Sequence, residues 1–297
     1  RPSWDNHRAM FVGAGITVNE YPYYDAGDEA SALASLAAPR GGGSASGTAR
    51  RPSGGLDFDG MCATLETLPA RSIVLLHACC HNPTGVDLSM AQWQRIVELA
   101  RSRELLPFLD VAYQGFGDGI EEDVAPVRLL AGSGLPFIVS HSFSKNLSVY
   151  GERCGALSVV CADADEARLV LGQLKATVRR NYSSPGIHAA GIVARVLTDP
   201  VLRPAWERDV AAMRSRILDM RQRLHAVLAQ RLPGRDFGYF LSQRGMFSYT
   251  GLSAAQVDRL REEHAVYLVR SGRMCIAGLT KANVGHAAEA FATVLSG

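Results

Sequence analysis

The stretch RSIVLLHACCHNPTGVDLSMAQWQRIVELARSRELLPFLDVAYQGF, residues 71–116, decides the fold class. Residues 73–76 form an apolar run. Ser89 and Gln92 make a capping box, after which Trp93, Ile96, Val97 and Ala100 recur at helical spacing. A second apolar run follows at 105–110. Further runs at 136–140 and 155–161 alternate with a helical pattern over 124–131. This alternation reads as an α/β chain, a mostly parallel sheet with helices on both faces.

Working outward, the stretch from Pro204 through Met213, Ile217, Met220, Leu224 and Leu228 predicts one long amphipathic helix, the kind of element that joins domains. The expected organisation is a large domain over 1–200, a connecting helix over 201–232 and a small C-terminal α/β domain over 233–297. In the last, strands are expected at 237–241, 245–249, 266–269 and 274–277, with a capped helix at 253–264. Residues 30–55 turn to Ala, Gly, Ser, Arg and Pro and read as a low-complexity, disordered surface insertion.

Composition narrows the function. With 297 residues, 47% of them hydrophobic, the chain can bury a sizeable core. Its 31 Lys and Arg are interspersed with 29 Asp and Glu, which argues against nucleic acid as a partner. No run of eighteen apolar residues and no apolar leader after the polar start are present, so no membrane partner is expected and a cytoplasmic location is. Cys62, Cys79, Cys80, Cys154, Cys161 and Cys275 lack C-x-x-C spacing and read as free thiols, mostly buried.

Three constellations carry chemistry. In Ser140-His141-Ser142-Phe143-Ser144-Lys145-Asn146 a lysine lies just past an apolar strand, where an open α/β sheet places its ligand crevice. Desolvation and a nearby cation such as Arg153 would favour the neutral amine that a carbonyl cofactor requires. Ser142, Ser144 and Arg153 could bind a phosphate. Asp110 ends another apolar run at the same edge, where a carboxylate can keep a pyridine ring cationic. In His81-Asn82-Pro83-Thr84-Gly85 a tight turn presents an Asn amide, which with Tyr113 could share a ring oxygen. Arg273, in Ser271-Gly272-Arg273, has the fork that grips a carboxylate.

Together S-F-S-K, D-V-A-Y-Q-G-F, H-N-P-T-G, Y-G-E-R and S-G-R resemble the class I (fold-type I) pyridoxal phosphate aminotransferases, aspartate and aromatic branch. The run QLKATVRRNYSSP, residues 173–185, is similar to the bacterial aromatic-amino-acid members in particular. The resemblance implies that Lys145 is the Schiff-base lysine and acid-base catalyst, that Asp110, Asn82 and Tyr113 hold the ring, and that Ser142, Ser144 and Arg153 hold the phosphate. It further implies that Trp4 stacks on the ring, His7 supports Asp110, and Arg273 binds the α-carboxylate. Arg179 would reach the substrate of a neighbouring subunit, making the expected assembly a homodimer. The implied reaction moves the amino group of Tyr, Phe, Asp or Glu to 2-oxoglutarate, with amino acids and 2-oxo acids as the small-molecule partners. Arg179 and Arg273 would serve both substrate types, so the balance between them rests on pocket shape.

Family members also carry a segment ahead of the position matching Arg1, with a phosphate-binding loop at a helix start and a tyrosine that crosses the dimer. The alternative reading is therefore a truncated, catalytically impaired fragment with only cofactor-binding or assembly capacity. Other rivals fare less well. S-x-x-K at Ser142 to Lys145 lacks the S-D-N and K-T-G partners of an acyl-enzyme. Gly13-Ala14-Gly15 is followed by Val18 where a dinucleotide loop needs its third glycine. His77, Cys79, Cys80 and His81 lack paired ligand spacing, so no metal is expected.

Overall fold

The computed structural model describes residues 2–25 and 55–296. The expected insertion at 30–55 lies outside them apart from Gly55. Contacts divide the chain into two units, one of residues 62–81 and 87–215, the other of residues 1–61, 82–86 and 216–297.

The first unit is built on a four-stranded sheet. Its strands are β3 (Ile73–His77), β4 (Leu106–Val111), β5 (Phe137–Ser142) and β6 (Gly155–Val160), in that spatial order. Helix α3 (Met90–Ser102) crosses from β3 to β4, and α4 (Ala125–Ser133) from β4 to β5, so these three strands run parallel. The capping box forms as expected: the Ser89 hydroxyl accepts from the Gln92 amide and the Gln92 side chain accepts from Ser89 N. Trp93, Ile96, Val97, Leu99 and Ala100 face inward from α3. Leu76, Leu109, Leu130 and Phe137 complete a closed core.

β6 departs from the parallel pattern. It pairs antiparallel with β5, Ser142 opposite Gly155 and Phe137 opposite Val160. No crossover α-helix intervenes, only the 3-10 turn Tyr150–Glu152, and without a crossover the chain returns antiparallel. Among the described residues β6 lies at one end of the sheet, with Leu157 53% exposed. Helices α5 (Ala164–Asn181) and α6 (Ile187–Thr198) follow, and no residue of α5 is buried.

Thirty residues then form α7 (Leu202–Arg231), the long helix that the apolar spacing predicts. The division between units at 215 and 216 falls within it.

In the second unit, α1 (Asp5–Gly13) is followed by the paired β1 (Tyr24–Asp25) and β2 (Gly55–Leu56), and α2 (Phe58–Glu66) begins here. Beyond α7 come α8 (Tyr239–Ser242), β7 (Phe247–Tyr249), α9 (Ala254–His264), β8 (Arg273–Cys275) and α10 (Val284–Ser296), with β7 and β8 antiparallel. Two of the expected strands are absent. The run 237–241 becomes helical from Tyr239, because Asp236 Oδ1 accepts from Gly238 N and starts a turn that the Phe237 and Gly238 carbonyls continue. Residues 266–269 form no strand. Ala265 in the left-handed region ends α9, Gly272 N donates back to Val269 O, and Tyr267 and Val269 stay exposed.

Candidate active site

The parallel strands bring their carboxyl ends to one edge, and the chemistry in the first unit collects there. β4 alternates, burying Pro107, Leu109 and Val111 and turning Asp110 to the other face. In register, Asp110 lies between His77 of β3 and Ser140 of β5.

Past β4 the chain bends through Tyr113, whose side chain is buried. Asp123 holds this bend. Its Oδ2 accepts from Gly115 N (2.8 Å) and Gly117 N (2.9 Å), its Oδ1 from Asp118 N (2.9 Å) and Gly119 N (3.4 Å). Burial raises the Asp123 carboxyl above its ordinary value against the pull of these four amides. The thiols of Cys79 and Cys80 come close to this carboxylate. Both of its oxygens are already committed to backbone donors. The Cys79–Cys80 hydrogen bond and then burial raise the Cys80 thiol, while at Cys79 that bond lowers the pKa and burial with the nearby carboxylates raises it on balance, so the trio is poorly suited to a metal.

Past β5, Lys145 sits in a tight turn. Leu147 N donates to Phe143 O, Ser148 N to Lys145 O, and the Trp206 indole to Asn146 O at 2.7 Å. Its Nζ stands 5.0 Å from the centre of the Tyr113 ring. Burial lowers the Lys145 pKa most; Arg153 lowers it further, while Asp110 opposes both. The lysine is thus biased toward its neutral form with a carboxylate within electrostatic reach.

Of the three residues expected at a phosphate, Ser144 is buried, and Ser142 Oγ accepts from its amide at 3.3 Å. Arg153 is exposed, in the left-handed region, with Nη1 donating to Tyr150 O. Arg179, at the end of α5, is exposed and donates to Ser183 Oγ at 2.5 Å.

The second unit carries the other set. Asn82 is buried, and its Oδ1 accepts from Arg273 Nη1 at 3.2 Å across 191 residues of sequence. Arg273 Cζ lies 4.9 Å from the centre of the Phe247 ring. Gly272 adopts φ 85°, and its carbonyl accepts from Thr250 N and Oγ1, so glycine sets the start of β8. Trp4 and His7 pack edge to face with centres 5.1 Å apart, and Ser3 Oγ lies 3.0 Å from His7 Nδ1.

Sequence reasoning missed two residues. Asp123 lies just after Gly115, Gly117 and Gly119, and a glycine-rich bend with free amides calls for a nearby acid. Arg221 is a charge on the apolar face of α7, four residues after Ile217 and three before Leu224.

Residues 1–291 match the model of the family described as aminotransferase class I and II. The chain belongs to that family. Pyridoxal phosphate is the family's cofactor. This aminotransferase is 56% identical to the aromatic-amino-acid aminotransferase of Escherichia coli (strain K12) over 99% of its own length and 68% of that enzyme's. It is 48% identical to an aspartate aminotransferase of Pseudomonas aeruginosa, with the same coverage. Among solved structures it resembles an aromatic-amino-acid aminotransferase from Burkholderia pseudomallei covalently bound to pyridoxal phosphate. The TM-score is 0.89 and the identity 49%, covering 99% of this chain and 67% of that one. The fold is that of the type I enzymes. A half-buried lysine of lowered pKa, influenced by Asp110 and facing Tyr113, fits that cofactor. No helix among the described residues is long and apolar enough to cross a membrane.

Proposed function

We propose that this chain is a pyridoxal phosphate-dependent transaminase that moves the amino group of aromatic and dicarboxylic amino acids to 2-oxoglutarate. The observation that carries the reading is Lys145: a lysine past the carboxyl end of a parallel strand, lowered in pKa by burial and Arg153, with Tyr113 beside it. Bound pyridoxal phosphate supplies an electron sink for bonds at the amino acid's α-carbon.

The chain's own residues then divide the work. Lys145 Nζ holds the cofactor and carries the proton, since a neutral amine can accept one and its ammonium return it. The Asp110 carboxylate keeps the ring nitrogen protonated. Tyr113 and Asn82 steady the ring oxygen, Trp4 the ring face, and His7 the aspartate. Ser142, Ser144 and Arg153 take the phosphate. Arg273 binds the α-carboxylate with its planar fork. Arg179 serves a neighbouring subunit, within a cytoplasmic homodimer. The exposed apolar residues of β6 and α5, Leu157, Leu169 and Leu171, support an assembly, and the six free cysteines support the location. For domains, the reading is a cofactor domain over 1–200, a connecting helix over 201–232 and a small domain over 233–297.

Mixing purified protein with pyridoxal phosphate should give the visible absorbance band of bound cofactor, lost in Lys145→Ala. No band in the parent defeats the reading. Turnover of tyrosine with 2-oxoglutarate then tests competence, and sedimentation at micromolar concentration tests the dimer; a monomer there rejects it.

A further inference from the structure

Arg221 is 1% exposed, on a helix face it shares with Ile217, Met220, Leu224 and Leu228. Burying a guanidinium costs solvation that only well-aimed hydrogen bonds offset, and an apolar side chain would pack there at less cost. Its two terminal nitrogens donate four bonds into one short region. Nη1 donates to Phe240 O (3.1 Å) and Ser248 Oγ (2.7 Å), Nη2 to Gly245 O (2.9 Å) and Phe247 O (2.7 Å).

The same region supports the Asn82 and Arg273 pair from both sides. Arg244 N donates to Gly85 O at 2.6 Å, which ties down the turn that begins with Asn82. The fit is close: a Cβ on Gly85 would meet Phe247 O at 2.8 Å and Arg244 O at 2.9 Å. On the other side, the Phe247 ring carries the Arg273 guanidinium. We infer that Arg221 is a positioning residue: by fixing the carbonyls of Gly245 and Phe247 it sets the geometry of the Asn82–Arg273 pair. This rests on the reading of Arg273 as the carboxylate-binding residue.

The test compares Arg221→Lys, Ser248→Ala and, as a control for lost packing on the same helix face, Leu224→Ala, all in the cofactor-loaded chain. A lysine keeps the charge and cannot span four acceptors. Hydrogen exchange in Arg221→Lys should lose protection at the Arg244 amide and in β7 and β8 while α9 and α10 keep theirs. The Kd for maleate, a dicarboxylate that cannot be transaminated, should rise about tenfold, against about twofold or less for Leu224→Ala, because a displaced clamp weakens binding out of proportion to stability. Ser248→Ala should show the same pattern in milder form, and it decides the matter if Arg221→Lys does not fold. Unchanged Arg244 protection, or a maleate loss no larger than that of Leu224→Ala, overturns the inference. A parent that binds cofactor and not maleate defeats the carboxylate reading of Arg273, and exchange alone then decides whether Arg221 positions the pair.

Discussion

At the scale of single residues, the chemistry depends on Lys145 losing its proton more easily than an ordinary lysine. The chain has only three lysines, Lys145, Lys175 and Lys281, so its amines can be followed individually by NMR after isotopic methylation. The signal missing from Lys145→Ala should titrate below 10.5 in the cofactor-free protein; a midpoint at or above that value would sink the desolvation argument. The linkage has a definite sign. Folded Lys145 binds its proton less tightly than the unfolded chain does. Its contribution therefore opposes folding below the folded midpoint and fades as pH rises toward the ordinary lysine value. Asp110→Asn preserves shape and removes the charge. It is expected to leave the cofactor band in place and to lower kcat on the order of a hundredfold, the usual scale for a lost electrostatic stabiliser. A kcat close to the parent's would remove Asp110 from the mechanism.

Elements have to hold those residues still, and here Asp123 matters more than its distance from the reaction suggests. Its carboxylate satisfies four amides in the bend that carries Tyr113, so Asp123→Ala strands buried donors and should cost about 3 kcal/mol in urea unfolding. A loss below about 1 kcal/mol, the net worth of one ordinary hydrogen bond, would show that the bend is held otherwise. Gly115 in the same bend adopts φ 95°, and an added Cβ would meet Val210 Cγ1 at 2.5 Å, so glycine is required there by both conformation and space. Helix α3 offers a simpler case: Ser89→Ala removes one half of a reciprocal cap and should cost about 1 kcal/mol.

For the whole molecule, cofactor binding and stability are linked. A ligand held only by the folded chain, at a hundred times its Kd, adds about 2.7 kcal/mol and should raise the melting temperature by roughly 4 °C. Calorimetry with and without pyridoxal phosphate checks this. The shift should shrink in Lys145→Ala, and equal shifts would mean that the lysine does not hold the cofactor. The α/β class, the long helix α7 and the motifs around Lys145, Asp110 and Asn82 were all legible in the chain, because each is written in neighbouring residues as a period, a cap or a short motif. Other features needed partners that no local pattern reveals. The direction of β6 followed from a connection without a crossover α-helix, and the aromatic run at 237–241 turned into a helix from Tyr239 after a turn started by Asp236. By itself, then, the sequence determined which chemical groups exist and which edge of the sheet the strands deliver Lys145 and Asp110 to. Only the tertiary structure decided that Arg273 reaches Asn82 across 191 residues and that the buried Arg221 binds carbonyls 19 to 26 positions away. Hydrogen bonds between distant segments form only once the core has brought those segments together.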